Sequence, residues 1–163
     1  MRALGRALDR LVEWTVHAGA WLVVPVCVLL FLQWPLRDVV QAYSREANDM
    51  AQVLFALYVG IAITSATRSR AHLATDVVAR RQSPRMRDAL SRFGALLVLA
   101  PWALFMLYTA WPMTAQSLRQ LEAFPETFNP GYFMLKGALL LAMLLVLLQA
   151  LLDAAGFRSR DKP

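Results

Sequence analysis

Hydrophobic positions in this chain gather into four long blocks separated by short polar stretches. Residues 14–36, 50–67 and 93–118 contain no formal charge, and residues 128–152 contain only Lys136. Each block is long enough to cross a hydrocarbon core of about 30 Å, which takes roughly 17 to 25 helical residues. A water-soluble fold would need a thick amphipathic shell to shield four such segments, and little of the 163-residue chain is left over to build one. The pattern predicts an all-α membrane protein, a single integral membrane domain over residues 1–163 with spans at about 14–36, 50–67, 93–115 and 131–152.

Charge orders the segments between the blocks. Counting Arg and Lys gives three before the first block, two in 37–49, seven in 68–92, one in 119–126 and three in the tail. High and low alternate, so the positive-inside rule places both termini and the middle segment in the cytoplasm, with the two other connections outside. That is the expected arrangement of a multi-pass membrane protein. The net charge of +6 then reads as topology and attraction to anionic headgroups. It is no argument for nucleic acid, because the basic segment has no interleaved aromatics.

The first residues begin with Arg2, Arg6 and Arg10 but do not read as a cleavable leader. The apolar run that follows is too long for a signal h-region, and Trp34 and Pro35 stand where small residues would be needed. Leu4, Leu8, Leu11 and Val12 recur at helical spacing, predicting a short amphipathic helix on the membrane surface that leads into the first span. A second is predicted around 84–92, with Ser83 as N-cap, Pro84 at the first helical position, and Met86, Leu90 and Phe93 facing lipid. Pro25 and Pro101 are single prolines, read as kinks. Trp14, Trp34 and Trp111 fall at belt positions and, with Arg80, Arg81, Arg85 and Arg87, are expected to anchor the chain in the bilayer. Trp21 and Trp102 lie deeper and are read as a protein-facing seam.

Chemistry is thin. The lone Cys27 excludes a dithiol oxidase and reads as a buried structural thiol. His17 and His72 are not spaced as facing haem ligands, and no carboxylate pair or nucleophile with a base sits at membrane depth. No enzyme activity, cofactor or metal is expected. A self-sufficient carrier should keep ionisable groups near the midplane, yet Glu13, Asp49, Lys136 and Asp153 all lie within about one turn of a predicted end, where anchoring or capping explains them. Ala56, Gly60, Ala62, Thr64 and Ala66 predict close packing of the second span on another helix, either its own or a partner's.

From Glu46 the chain reads EANDMAQVLFALYVGIAITSATRSRAHLATDVV, with Glu46 before the second span, Gly60 within it, and His72 and Asp76 four apart beyond it. Later, SLRQLEAFPETFNPGYFMLKGALLLAMLLVLLQALL carries Ser117, a loop glutamate, Pro130, Gly131, Lys136 and Gln149 in order. This order within four spans resembles the small membrane subunit, the DctQ-type component, of tripartite ATP-independent periplasmic (TRAP) transporters. The chain departs from the family pattern at Arg70, Ala71 and Thr75, and either Glu122 or Glu126 fills the loop-glutamate place.

The resemblance implies a subunit with no substrate site of its own. It implies two partners, a large DctM-type membrane subunit carrying the sodium-coupled pathway and a periplasmic solute-binding protein, which together import organic acids. The small subunit would widen the stationary scaffold in the bilayer. Glu46, Gly60, His72, Asp76 and Lys136 become the expected interface with the large subunit. Without the resemblance, Glu46 with Asn48 and Asp49 reads as a helix cap, and His72 with Asp76 as a solvated pair on one helix face. Two other classes stay open from the residues alone: a self-sufficient four-helix carrier or exporter, and a membrane assembly or redox protein.

Overall fold

The structure is a computed structural model that describes residues 2–39, 44–69 and 83–156, without the side chains at 2, 3, 84, 85, 87, 88 and 91. Helices α1 (Arg2–Ala20) and α2 (Val23–Asp38) form one long rod with a joint in it. They are followed by α3 (Arg45–Arg68), α4 (Pro84–Gly94), a π-helical turn (Ala95–Leu99), α5 (Ala100–Arg119) and α6 (Phe133–Ala155). Four helical segments are long and apolar enough to cross a membrane: Leu4–Asp38, Arg45–Arg68, Arg92–Arg119 and Phe133–Ala155.

Pro25, Pro84 and Pro101 each leave a mark, while Pro35 and Pro112 sit inside helices that continue through them. Pro25 has no amide to offer the Trp21 carbonyl, so the Val24 amide bonds it instead at 3.2 Å, and Leu22 reaches back only to Gly19 at 3.0 Å. The rod loosens to this tighter winding at Trp21 and Leu22, inside the apolar stretch. The short helix predicted from Leu4 to Val12 therefore does not end before the first span: α1 runs through Trp14 without a break. Ahead of Pro101 the chain widens to the π turn, where the Ala100 amide bonds the Ala95 carbonyl. Pro84 starts α4 as expected, and the Ser83 hydroxyl accepts from the Met86 amide at 3.4 Å. Gly156, at φ 72°, ends α6 in the left-handed conformation that lacks penalty only for glycine.

The core lies along α3 and α6. In α1, Gly5, Asp9, Val12 and Gly19 are buried at helical spacing and turn toward α3, where Gly19 seats Ile61. Gly60 of α3 meets Ala142 of α6 so closely that a Cβ on Gly60 would fall 2.9 Å from the Ala142 methyl. Of the small residues expected to pack closely, Gly60 thus meets a helix of this same chain. Ala103, Ala110, Thr114 and Ser117 make the matching buried stripe of α5. Burial takes in 44 % of the apolar window of α6 but 11 % of that of the first rod, so α6 is central and α2 peripheral.

Much of the apolar surface faces outward, as lipid demands and water would not allow. Trp14, Trp34 and Trp111 are all exposed. Trp21 and Trp102 are exposed too, so whatever seam they form is not inside this chain. Cys27 is exposed as well, correcting its reading as a buried thiol. The reason is that α2 turns only Val26 inward.

Candidate functional site

The polar side chains collect at the two ends of the bundle. At the basic end, where α1 begins and α3 finishes, Arg68 Nη1 donates to Asp9 Oδ1 at 2.7 Å and approaches the Asp9 carbonyl at 3.4 Å. Both side chains are buried, 10 % and 6 % exposed, which makes the pair an internal clasp between α1 and α3. Arg68 Nη2 is buried, has no hydrogen bond among the described residues and faces Glu13 Oε2 at 3.8 Å. Nearby, the Arg92 guanidinium lies 3.3 Å from where a Cβ on Gly156 would stand, beside the last carbonyls of α6. A cation suits that helix end.

At the hairpin end the connection between α5 and α6 is an ordered structure. The Glu122 amide bonds the Ser117 carbonyl at 3.0 Å, and the Glu122 carbonyl accepts from Gly131 and Tyr132 at 3.1 and 3.0 Å. The Phe124 amide bonds the Asn129 carbonyl at 2.9 Å, and the buried Phe124 ring meets Tyr132 edge-on with centroids 5.7 Å apart. Gly131, at φ 152°, takes a conformation that side chains disfavour, and a Cβ there would press on Phe124 at 3.0 Å.

Two side-chain clasps hold this hairpin. Glu122 Oε2 accepts from both the Ser117 hydroxyl in the last turn of α5 and the Lys136 ammonium in the first turn of α6. Lys136 also lies 5.5 Å from the Tyr132 ring centroid. The Lys136 bond first, then the Ser117 bond, holds the Glu122 carboxyl below the usual carboxylate range, against a smaller opposing effect of desolvation. Thr127 Oγ1 donates to the buried Asp49 Oδ2 at 2.6 Å and so ties the hairpin to the start of α3.

These contacts place several expected residues. Glu122, not Glu126, meets both Ser117 and Lys136. Lys136 and Gly60 spend their contacts inside the chain, on Glu122 and Ala142. Glu46 is exposed and accepts from the Ser44 hydroxyl at 3.2 Å, while Ser44, not Asn48 or Asp49, caps α3 by accepting from the Ala47 amide at 3.2 Å. Asp49 is no snorkelling anchor, because Thr127 holds it. His72, Asp76, Arg80 and Arg81 lie outside the described residues, and only the backbone of Arg85 and Arg87, in α4, lies within them. Sequence reasoning missed the Asp9–Arg68 pair. Its trace was an acidic pair four apart, Asp9 and Glu13, set among arginines.

No Asp, Glu, Lys or Arg occurs between Asp49 and Arg68, between Arg92 and Arg119, or between Lys136 and Asp153. Among the described residues no three His, Cys, Asp or Glu side chains converge as a metal site would need. A family model described as "Tripartite ATP-independent periplasmic transporters, DctQ component" matches residues 26–159. The chain belongs to the DctQ family. Its resemblance over the second span and the hairpin is thereby accounted for, and a DctQ chain is a transporter component, not a member of an enzyme family. The matched DctQ region takes in α3 to α6 and nearly all of α2, and leaves out α1, which carries Asp9. No curated protein and no solved structure matches the chain.

Proposed function

We propose that this DctQ chain is the accessory scaffold subunit of a TRAP-type secondary transporter. With a large DctM-type membrane subunit and a periplasmic solute-binding protein it imports organic acids, coupled to sodium, across a bacterial inner membrane. Family membership carries the reading, and the distribution of charge supports it. A charge at membrane depth is costly and persists where it handles cargo. Here the interior stretches hold none, and the polar groups at the ends brace one helix against the next. Such a bundle suits a platform against which a partner moves.

In this reading both termini and the arginine-rich segment lie in the cytoplasm, the hairpin lies outside, and α4 rests on the inner membrane surface with Arg85 and Arg87 toward headgroups. Trp14, Trp34 and Trp111 hold the bundle at its depth. Exposed Glu46, with His72 and Asp76, reaches the large subunit directly. Gly60 and Lys136 serve the same interface indirectly, by fixing the spacing of α3 and α6 and the shape of the hairpin.

Two experiments test this. Tagged chain expressed with the large subunit should retain it through purification, and the full three-part system in vesicles should accumulate an organic anion only with an inward sodium gradient. The same vesicles made with this chain alone should be inert. Uptake by the chain alone would end the scaffold reading in favour of a self-sufficient carrier.

A further inference from the structure

Between α5 and α6 the surface carries a groove of about 870 Å³. Its walls are apolar, with Leu104, Tyr108 and Pro112 from α5 and Leu140, Leu141 and Leu144 from α6. One turn beyond Leu141, on the same stripe of α6, Gly137 leaves open space where a Cβ would stand. Arg119 follows Tyr108 by eleven residues, about three turns, and so continues the same stripe of α5. It is exposed and has no ion-pair partner among the described residues.

We infer that this groove holds one acyl chain of an anionic phospholipid, with the lipid phosphate at Arg119. Three observations point to that occupant. The first is depth. Leu104 to Arg119 spans about 22 Å along the helix, close to one hydrocarbon leaflet of about 15 Å plus its headgroup layer.

The second is charge: an unpaired guanidinium stands at the end of an uncharged trough, and Arg binds phosphate with two parallel hydrogen bonds. The third is the character of the walls. Helices associate in membranes through small residues that let backbones approach. The small residues of α5 at Ala103, Ala110, Thr114 and Ser117 are already buried in the bundle, and the groove presents leucines, a tyrosine and a proline instead. Such a wall keeps a second helix backbone at a distance and suits a flexible hydrocarbon chain better. The inference needs neither the orientation of the chain nor its role in transport.

The full-length chain, solubilised in detergent with equal phosphatidylglycerol and phosphatidylcholine, is examined by native mass spectrometry. One phosphatidylglycerol should remain bound after the loosely held lipid has been stripped. Gly137→Leu and, separately, Leu141→Trp should each lower that occupancy at least tenfold, with circular dichroism unchanged; if one fails to fold, the other decides. Arg119→Gln should abolish the preference for phosphatidylglycerol. A photoreactive residue at position 140 should, in native membranes, acquire the mass of a phospholipid. Unchanged lipid retention in the folded groove variants, a preference that survives Arg119→Gln, or a crosslink to protein instead of lipid would each overturn the proposal.

Discussion

Asp9–Arg68 and Glu122–Lys136 are both acid–base pairs, the first joining two helices and the second tying the hairpin to α6, but they sit in different surroundings. The first is almost wholly buried, whereas the second keeps 35 % and 20 % of its acid and base side chains exposed. Burial removes hydration from both members of the first pair, and their mutual attraction offsets part of that cost. The hairpin pair keeps contact with solvent and headgroups and adds a hydroxyl and a ring, so losing one member leaves less unbalanced. Similar chemistry therefore makes an unforgiving clasp at one end of the bundle and an adjustable one at the other.

The largest expected effect follows from breaking the buried clasp on one side only. Arg68→Met should destabilise the bundle by about 3–5 kcal/mol, measured by denaturant unfolding in detergent, because it removes one member of a buried charge pair. Joined with Asp9→Leu it should recover most of that loss. If the double variant is no better than the single one, the pair is not what sets the cost.

Next comes the packing between the two clasps. Gly60→Leu forces a side chain into Ala142 and should cost about 1–3 kcal/mol. Gly60→Ala should cost less, and adding Ala142→Gly should return part of its stability.

Glu122→Gln should lower the melting temperature by less than Arg68→Met does. The Glu122 carboxyl is held below its ordinary range in the folded chain. Its contribution is therefore fully present above the unfolded value and fades as pH falls through the folded one. Wild type should lose stability across that acid window more steeply than Glu122→Gln, and parallel curves would show that the clasp does not titrate. Smallest of all is Asp38→Asn. Arg37 and Asp38 form a pair 66 % and 44 % exposed, and the change should stay within about 0.5 kcal/mol.

The four helices were legible in the sequence because lipid requires long uncharged stretches, and the prolines announced where winding would change. Ser117, Lys136 and the loop glutamate could be picked out by order, but choosing Glu122 over Glu126 needed the hairpin to bend at Leu121 and Gly131, which spacing alone does not encode. Asp9 escaped notice because it lies among arginines in a segment that reads as a surface helix with its polar face turned away from the bundle. Its partner is 59 positions away, and only folding brings it near. Gly60 announced a close approach, yet pattern could not tell a helix of this chain from a partner's. Cys27 was misplaced because an apolar stretch says that a residue is in the membrane, not which way it points.

The joint at Trp21 and Leu22 divides the first rod into a first arm gripped by Asp9–Arg68 and a second arm that buries only Val26. A joint between an arm held by a buried ion pair and one without such a clasp is where a mismatch between rod length and membrane thickness is expected to be absorbed. Thinner bilayers should fold the second arm over and thicker ones draw it upright, leaving the spacing of α3 and α6 untouched. The bundle would then keep its dimensions from one lipid composition to another because its most peripheral helix gives way first.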